Sequence, residues 1–435
     1  MTWNFHSYYT NRDTGLIGQL ILDDRDKDGL KALRQIVRER TRDVFDEAKQ
    51  LVNSSKHYYT ALSFRAEFVG TNFQYLSPDD QKILSELIID LSEDLKTEFL
   101  KLSPRFWTQG SFMYDTLNRP YKPTQEMDID DGTYLPMQFF EDKPAIGHQL
   151  LLLLVDASLK SLAAEHYGWS FESKDTCGRI KIPAKSVHID VPMYAIPYEK
   201  FLEKEVLLRK AANSQISIEM YDGISAADHA LYDQLETDCV NLAIRKDDEK
   251  WIKSDPKDVH LWFQDACQRT GQHLRKVCRF LKAWRDAGDW KEKESNGPSS
   301  ISLMAAVVEI LDKTHVDPKD FGSLMLTVAK KLPETFKKGV ESPDENDDRP
   351  LFPPYYEHEP KHTEVIQKLE QLVDSLESAY FAHSKQDALD ILNGEYGDRV
   401  RDLNLIVSQA AAPAYESTPL KAKEAAIIST SMKSG

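Results

Sequence analysis

Two short acidic strings carry residue types and spacings that could do chemistry. In Glu126-Met127-Asp128-Ile129-Asp130-Asp131-Gly132, two carboxylates stand two residues apart. In a strand, Asp128 and Asp130 face the same side with Ile129 packed behind them. Adjacent carboxylates repel unless a cation sits between them. Mg²⁺ suits such a pair, because it takes hard oxygen ligands from one or two carboxylates plus phosphates and waters. The second string, Val187-His188-Ile189-Asp190-Val191, places His188 and Asp190 on one face and aliphatics on the other. If the two strands are neighbours, three carboxylates converge. A site of that kind can hold two metal ions, one activating an attacking hydroxyl and one gripping a triphosphate. A D-x-D pair alone more often marks solvated acids at a strand edge, so the partner residues decide its meaning.

Gln109-Gly110-Ser111 follows the β-like run Arg105-Phe106-Trp107-Thr108, and Ser111 stands seventeen residues before Asp128. Glycine lets backbone approach a phosphate closely, and serine offers a hydroxyl and an N–H. If Ser111 opens a helix, the free N–H groups there suit an anion. Taken alone, the string reads equally as an ordinary strand-to-helix turn. Arg34, Arg38 and Arg42 recur at i, i+4 and form a ridge on a helix. They either pair with Glu39, Asp43, Asp46 and Glu47 on a wet face, at about 0.3–0.5 kcal/mol each, or line an anion pocket with Phe106 and Trp107 nearby. Lys282, in a basic ridge with Arg275 and Arg279, reads by itself as a solvated lysine.

The elements that must position these groups follow from periodicity. Leu30, Leu33, Val37, Val44, Ala48 and Leu51 predict a helix from about residue 26 to 52. Ser77-Pro78-Asp79-Asp80 opens a second amphipathic helix, expected to run to Lys101. Residues 105–136 are rich in Gly, Pro, Thr and aromatics, with a strand at Met127–Tyr134. Residues 145–166 read as helix. Gly178–Ile182 and Val187–Met193 read as a hairpin turned by Pro183-Ala184-Lys185. Beyond about residue 200 the chain is mostly helical. Asp255-Pro256 starts a helix that reaches about Arg285 with a break at Gly271. Gly297-Pro298-Ser299-Ser300 starts another. The segment 341–360 is an acidic, proline-rich surface loop, and the Ala/Ser/Lys-rich stretch after 410 is a flexible tail.

The chain has 435 residues and a formal net charge of −16, with 41% apolar and 29% charged residues. That length suggests roughly two to three domain-sized units or one bilobed unit. The composition excludes a disordered chain, and the acidic balance argues against a generic nucleic-acid coat. Cys177, Cys239, Cys267 and Cys278 have no C-x-x-C spacing, which speaks against a zinc site or a disulfide framework. No apolar run approaches the roughly 20 residues of a membrane span, and the N-terminus has no apolar leader, so a soluble, cytoplasmic protein is expected.

The order Gly110-Ser111, then Asp128-x-Asp130, then a distant Asp190 resembles the polymerase-β nucleotidyltransferase superfamily. The strings Arg105–Phe112, Met127–Tyr134, Ala283-Trp284-Arg285-Asp286, Gly297–Ser302 and Gly339–Asp344 are similar to those of the bacterial cGAS/DncV-like nucleotidyltransferases. The resemblance runs from Thr2 to the tail and is weakest at 53–75 and 205–240. It implies an α+β fold, a polymerase-β-like core with a helical second lobe and a central cleft. The expected division is a core lobe with N-terminal helices at 1–200, a helical lobe at 201–410 and a tail at 411–435.

By the same resemblance, Asp128, Asp130 and Asp190 bind two Mg²⁺ ions, with Mn²⁺ as a substitute, and Asp190 helps draw a proton from an attacking 3′-hydroxyl. Gln109, Gly110 and Ser111 hold a triphosphate with Tyr114 near a base. Lys282 neutralises triphosphate charge, and Ser300 supplies a phosphate-binding hydroxyl. Arg179, Ser254 and Asp347 match contacts to a second nucleotide. The implied reaction joins ATP and GTP into 3′,3′-cyclic GMP-AMP with release of pyrophosphate, in anti-phage signalling through a cyclic-dinucleotide-activated effector such as a phospholipase. The resemblance further implies a folate-type inhibitor at Arg34, Arg38, Arg42, Phe106 and Trp107, and an E1/E2-like protein that conjugates Gly435. The alternatives are a linear oligonucleotide synthetase, an RNA-tailing transferase, which needs an extended basic groove, or a catalytically inactive nucleotide-binding module.

Overall fold

Alternating apolar residues along two strands build the centre of the molecule. In the computed structural model, which describes residues 2–136, 144–196, 240–245, 251–254, 256–292, 295–344 and 349–409, the strands are β1 (Trp3–Asn4), β2 (Arg105–Gln109), β3 (Met127–Pro136), β4 (Ser170–Ser173), β5 (Cys177–Ile182), β6 (Val187–Ile196), β7 (Asn241–Ala243), β8 (Trp251–Lys253) and β9 (Val407–Ser408). Seven of them form one sheet in the order β2-β3-β6-β5-β4, with β7 pairing both β6 and β8. β3 and β6 run parallel, and the other pairs are antiparallel. The crossover between β3 and β6 includes the helix Pro144–Glu165 and the antiparallel pair β4–β5, as a parallel pair requires a long connection. β6 is buried along its whole length, which explains its unbroken apolar face behind Asp190.

One face of the sheet is covered by the helices Asp24–Ser55 and Pro144–Glu165. Val37, Val44, Ala48, Leu150 and Leu154 share a hydrophobic core with Ile129, Val187 and Ile189. The helix Asp24–Ser55 begins where the Asp23 carboxylate accepts the Asp26 N–H, two residues before the apolar stripe suggests. The predicted helix 77–101 is instead two helices, Pro78–Ile89 and Glu93–Lys101. Ser92 is the reason: its hydroxyl accepts the Leu95 N–H, so it caps a new helix rather than continuing the old one.

The second core is helical. It gathers the helices Pro256–Thr270, His273–Ala287, Ser300–Lys313, Phe321–Lys337, Pro360–Tyr380 and Lys385–Tyr396 around Phe280, Leu303, Met325 and Leu369. Trp3, Phe5, Tyr8, Tyr9, Leu16 and Leu20 belong to this core, and β1 pairs with β9. The first twenty residues therefore pack with the helical half, whereas the division drawn from sequence groups them with the core lobe. The break at Gly271, at φ 107°, separates the first two of these helices as expected. Asp255, Asp347, Cys239 and the tail with Gly435 lie outside the described residues. Cys177, Cys267 and Cys278 are free and buried. No helix among the described residues is long and apolar enough to cross a membrane.

Candidate active site

Register brings the acids together. Asp130 on β3 lies directly beside Asp190 on β6, and Asp128 beside His188. Ligating atoms of Asp128, His188 and Asp190 all fall within 4.8 Å of one another, a spacing that could hold a metal ion. Asp130 is not one of that group, although it neighbours Asp190 across the strands, and its carboxylate lies against Gly110. A Cβ at position 110 would come within 1.9 Å of Asp130 Oδ2, and Gly110 sits at φ +64°. Glycine is thus required twice, for the backbone conformation and for the space the carboxylate occupies.

The electrostatics match a cation site. Burial pushes the Asp130 carboxyl well above the usual carboxylate range, and the charges of Asp128 and Asp190 push it the same way. Arg179 and Lys282 oppose this only in part. His188 bridges two acids: Nδ1 lies 3.1 Å from Glu126 Oε2 and Nε2 lies 3.0 Å from Asp128 Oδ1. Burial lowers the imidazole, but Asp128 outweighs it and holds the ring above its ordinary range. Arg179, on β5 beside Asp190, donates from Nε to Oδ1 at 2.6 Å and from Nη2 to Oδ2 at 2.7 Å. This bidentate fork occupies both oxygens of the third acid.

A cleft of about 1130 Å³ opens in front of these acids, lined by Gly110, Ser111, Tyr114, Asp128, Asp130, His188, Lys282, Arg285 and Ser300. Lys282 is not a solvated ridge lysine. It is 5% exposed, and its ammonium donates to the Thr116 carbonyl at 2.9 Å. Burial, reinforced by Arg285, pushes it down to about 8. Ser300 follows the N-cap Ser299, and its Oγ accepts from Arg285 Nη1 at 2.8 Å. Arg285 stood in the sequence only as part of a motif string, yet it ties Ser300 to Asp286 across the cleft wall. Tyr114 is buried and stacks on His260 at 6.0 Å.

Three expected residues stand apart from the cleft lining. The Gln109 side chain does not face a triphosphate: its Nε2 donates to Tyr134 Oη at 3.0 Å and its Oε1 accepts from Tyr194 Oη at 3.1 Å. That amide bridges the hydroxyls of a stacked tyrosine pair. Trp107 shares the helical core with Tyr134 and Tyr194. Strand alternation puts Trp107 and Gln109 on the acid-bearing face of β2 and Phe106 and Thr108 on the other. Ser254 follows β8, is half-buried, and does not line the cleft.

Arg34 and Arg38 are buried against the back of the sheet, and Arg42 at the end of the ridge is exposed. Arg38 donates to both oxygens of buried Asp131 at 2.7 and 2.6 Å, and Arg34 and Arg38 both donate to Thr108 Oγ1. Arg42 and Arg38 stand over the Phe106 ring at 4.9 and 5.6 Å. Glu47 and Asp46 are engaged elsewhere, with Asn72 and Lys49. Asp131 adjoins Asp130, so one strand carries the ridge partner on one face and the acids on the other.

The comparisons with known proteins agree with this arrangement. Residues 104–194 match the family model "Cyclic GMP-AMP synthase DncV-like, nucleotidyltransferase domain", and residues 271–409 match "Cyclic GMP-AMP synthase, C-terminal domain". A cyclic GMP-AMP synthase of Vibrio cholerae serotype O1 is 53% identical over 439 residues, covering all of both chains. The chain belongs to the DncV-like cyclic GMP-AMP synthase family. A cyclic GMP-AMP synthase of Escherichia coli is 49% identical, again over the whole of both chains. Among solved structures, Vibrio cholerae DncV in complex with GTP and 5MTHFGLU2 matches with a TM-score of 0.84 and 52% identity, covering 94% of this chain and 99% of that one. The same enzyme with the linear intermediate 5′ pppA(3′,5′)pG matches with a TM-score of 0.83 and the same identity and coverage. The DncV-like nucleotidyltransferase fold and enzyme class follow for this chain.

Proposed function

We propose that this nucleotidyltransferase makes 3′,3′-cyclic GMP-AMP from ATP and GTP. The observation that carries the reading is the side-by-side register of Asp130 and Asp190, with Asp128 two residues away, facing a cleft lined by Gly110, Ser111, Lys282 and Ser300. The mutual repulsion at Asp130 fits divalent cations, and two Mg²⁺ ions held there, or Mn²⁺ in their place, supply Lewis-acid polarisation of the α-phosphate. The Gly110 and Ser111 backbone and the Ser300 hydroxyl bind phosphate oxygens. Lys282 neutralises the triphosphate and stabilises the departing charge. A 3′-hydroxyl oxygen bonds to the α-phosphorus of the second nucleotide as the bond to the β-phosphate bridging oxygen breaks, and pyrophosphate leaves. Asp190 takes up the hydroxyl proton once the Arg179 fork opens, and Arg179 then reaches the second nucleotide. A second transfer in the same cleft closes the ring and releases a second pyrophosphate.

The same reading extends to regulation. A folate-type polyanion binds at Arg34, Arg38 and Arg42 beside Phe106, supported by the cation-covered ring and by the folate ligand present with the Vibrio cholerae enzyme. The product acts on an effector in anti-phage signalling. The test is mass spectrometry of products from ATP, GTP and Mg²⁺, with Asp128→Ala/Asp130→Ala as control. A phosphatase-resistant cyclic GMP-AMP ion from the unaltered protein alone supports the reading, and linear products only would overturn it.

A further inference from the structure

The basic ridge Arg275, Arg279 and Lys282 lies on one face of the helix His273–Ala287. That face meets residues 114–118, which follow the short helix Gly110–Met113. Arg275 Nε donates to the Tyr114 carbonyl at 3.1 Å, and Lys282 Nζ to the Thr116 carbonyl at 2.9 Å. Arg279 reaches further along the loop. Its Nη2 donates to Asp115 Oδ1 at 2.9 Å, and its Nη1 donates to the Leu117 carbonyl and to Asn118 Oδ1. The Asn118 amide returns a bond to the Arg279 carbonyl at 2.8 Å.

Thr116 lies between the partners of Arg279, is fully buried, and is held from two sides. Its N–H donates to the Ser111 carbonyl at 2.9 Å, and its own carbonyl accepts from Lys282. One residue thus joins the serine and the lysine that hold triphosphate in the proposed reaction. An ammonium has three N–H donors, so Lys282 can keep Thr116 and still turn donors to a phosphate. The bond to Thr116 sets where those donors point.

The loop holds this shape against a local cost. Asp115 stands at φ 52°, a left-handed conformation that a residue other than glycine keeps only where its surroundings fix it. The Arg279 guanidinium supplies that fixing. It is 6% exposed, and its planar fork carries donors in set directions that grip residues on both sides of Thr116.

We propose that Arg279 is a positioning residue for triphosphate binding, which shapes residues 115–118 so that Thr116 holds Ser111 and Lys282 at the spacing the phosphates need. This role rests on the reading of Ser111 and Lys282 as triphosphate ligands, and it names the group that couples them. Arg279 itself touches no phosphate.

Calorimetric titration of the full chain with α,β-methylene GTP and Mg²⁺ tests it, because a methylene bridge replaces the oxygen at which the nucleotide is cleaved. Wild type, Arg279→Met, Lys282→Met and the double variant are compared. Arg279→Met is expected to weaken binding about tenfold, as loss of charge-assisted hydrogen bonds does. In the Lys282→Met background the same change is expected to cost at most about threefold, because the lysine that Thr116 aims is gone. A merely structural loss would have the same factor in both backgrounds. Should Arg279→Met misfold, Arg279→Lys takes its place in the cycle, since a single ammonium cannot reproduce the fork. Unchanged affinity in Arg279→Met, or equal losses in the two backgrounds, would overturn the role of Arg279 alone. Unchanged affinity in Lys282→Met would overturn the triphosphate reading itself, and this role with it.

Discussion

Gly110→Ala separates catalysis from folding more sharply than any other single change. The new Cβ lies 1.9 Å from Asp130 Oδ2, against the 3.0 Å that real Cβ contacts respect. The carboxylate must therefore retreat by about 1 Å, and misplacement of that size costs roughly a hundredfold in rate. Because the clashing atom is the end of a side chain, the fold itself loses little. Holding alanine at the left-handed φ of residue 110 adds about 1–2 kcal/mol of strain. The assay follows cyclic GMP-AMP formation from ATP and GTP with Mg²⁺, beside a thermal melt of the same preparation. The expected result is turnover down about a hundredfold with the melting temperature lower by only a few degrees. Activity within about threefold of wild type would refute the reasoning, because Asp130 would then not need the place that Gly110 leaves for it.

Four further outcomes follow from the same geometry. Asp130→Asn is expected to melt above wild type in EDTA at neutral pH and to lose that advantage in Mg²⁺. The raised Asp130 carboxyl favours the fold below the ordinary carboxylate range, and that contribution is lost as pH rises. Lys282 is charged below about pH 8 in the free protein, so triphosphate affinity should stay level below that pH and fall above it. Calorimetry of GTP at pH 8.5 in two buffers of different ionisation enthalpy should show proton uptake, and none in Lys282→Met. Arg38→Met leaves buried Asp131 without its partner and should cost about 3–5 kcal/mol in denaturant melts, much of it regained in Arg38→Met/Asp131→Asn. Removal of the charges of Arg34, Arg38 and Arg42 should abolish inhibition by polyglutamyl folates, measured as product formed against folate concentration. Unchanged sensitivity would sink the regulatory reading.

Much of the site was legible because strand alternation is a local rule. The spacing of Asp128, Asp130 and Asp190 already placed each acid on a defined face of its strand. Alternation along Arg105–Gln109 also puts Phe106 and Trp107 on opposite faces of β2. His188 was placed on the face of Asp190 but given no role, and its bridge from Glu126 to Asp128 needed the neighbouring strand. Ser92 could have been recognised as a helix start from its type and from Glu93 and Asp94 behind it.

The amino-acid sequence by itself determined the elements, their apolar faces, the three acids and the glycine before Ser111. It did so because helix and strand periods, caps and positive-φ glycines act within a few residues. The tertiary structure alone decided the partners. The parallel pairing of β3 with β6 joins residues sixty positions apart and brings Asp130 beside Asp190. It also put Arg179 on Asp190, the Gln109 amide between two tyrosines, the arginine ridge against Asp131, and Lys282 in the cleft with its charge pushed down by burial. Periodicity says which way a side chain points. What it meets there depends on contacts between distant segments, and those contacts set the desolvation and charge that give each group its chemistry.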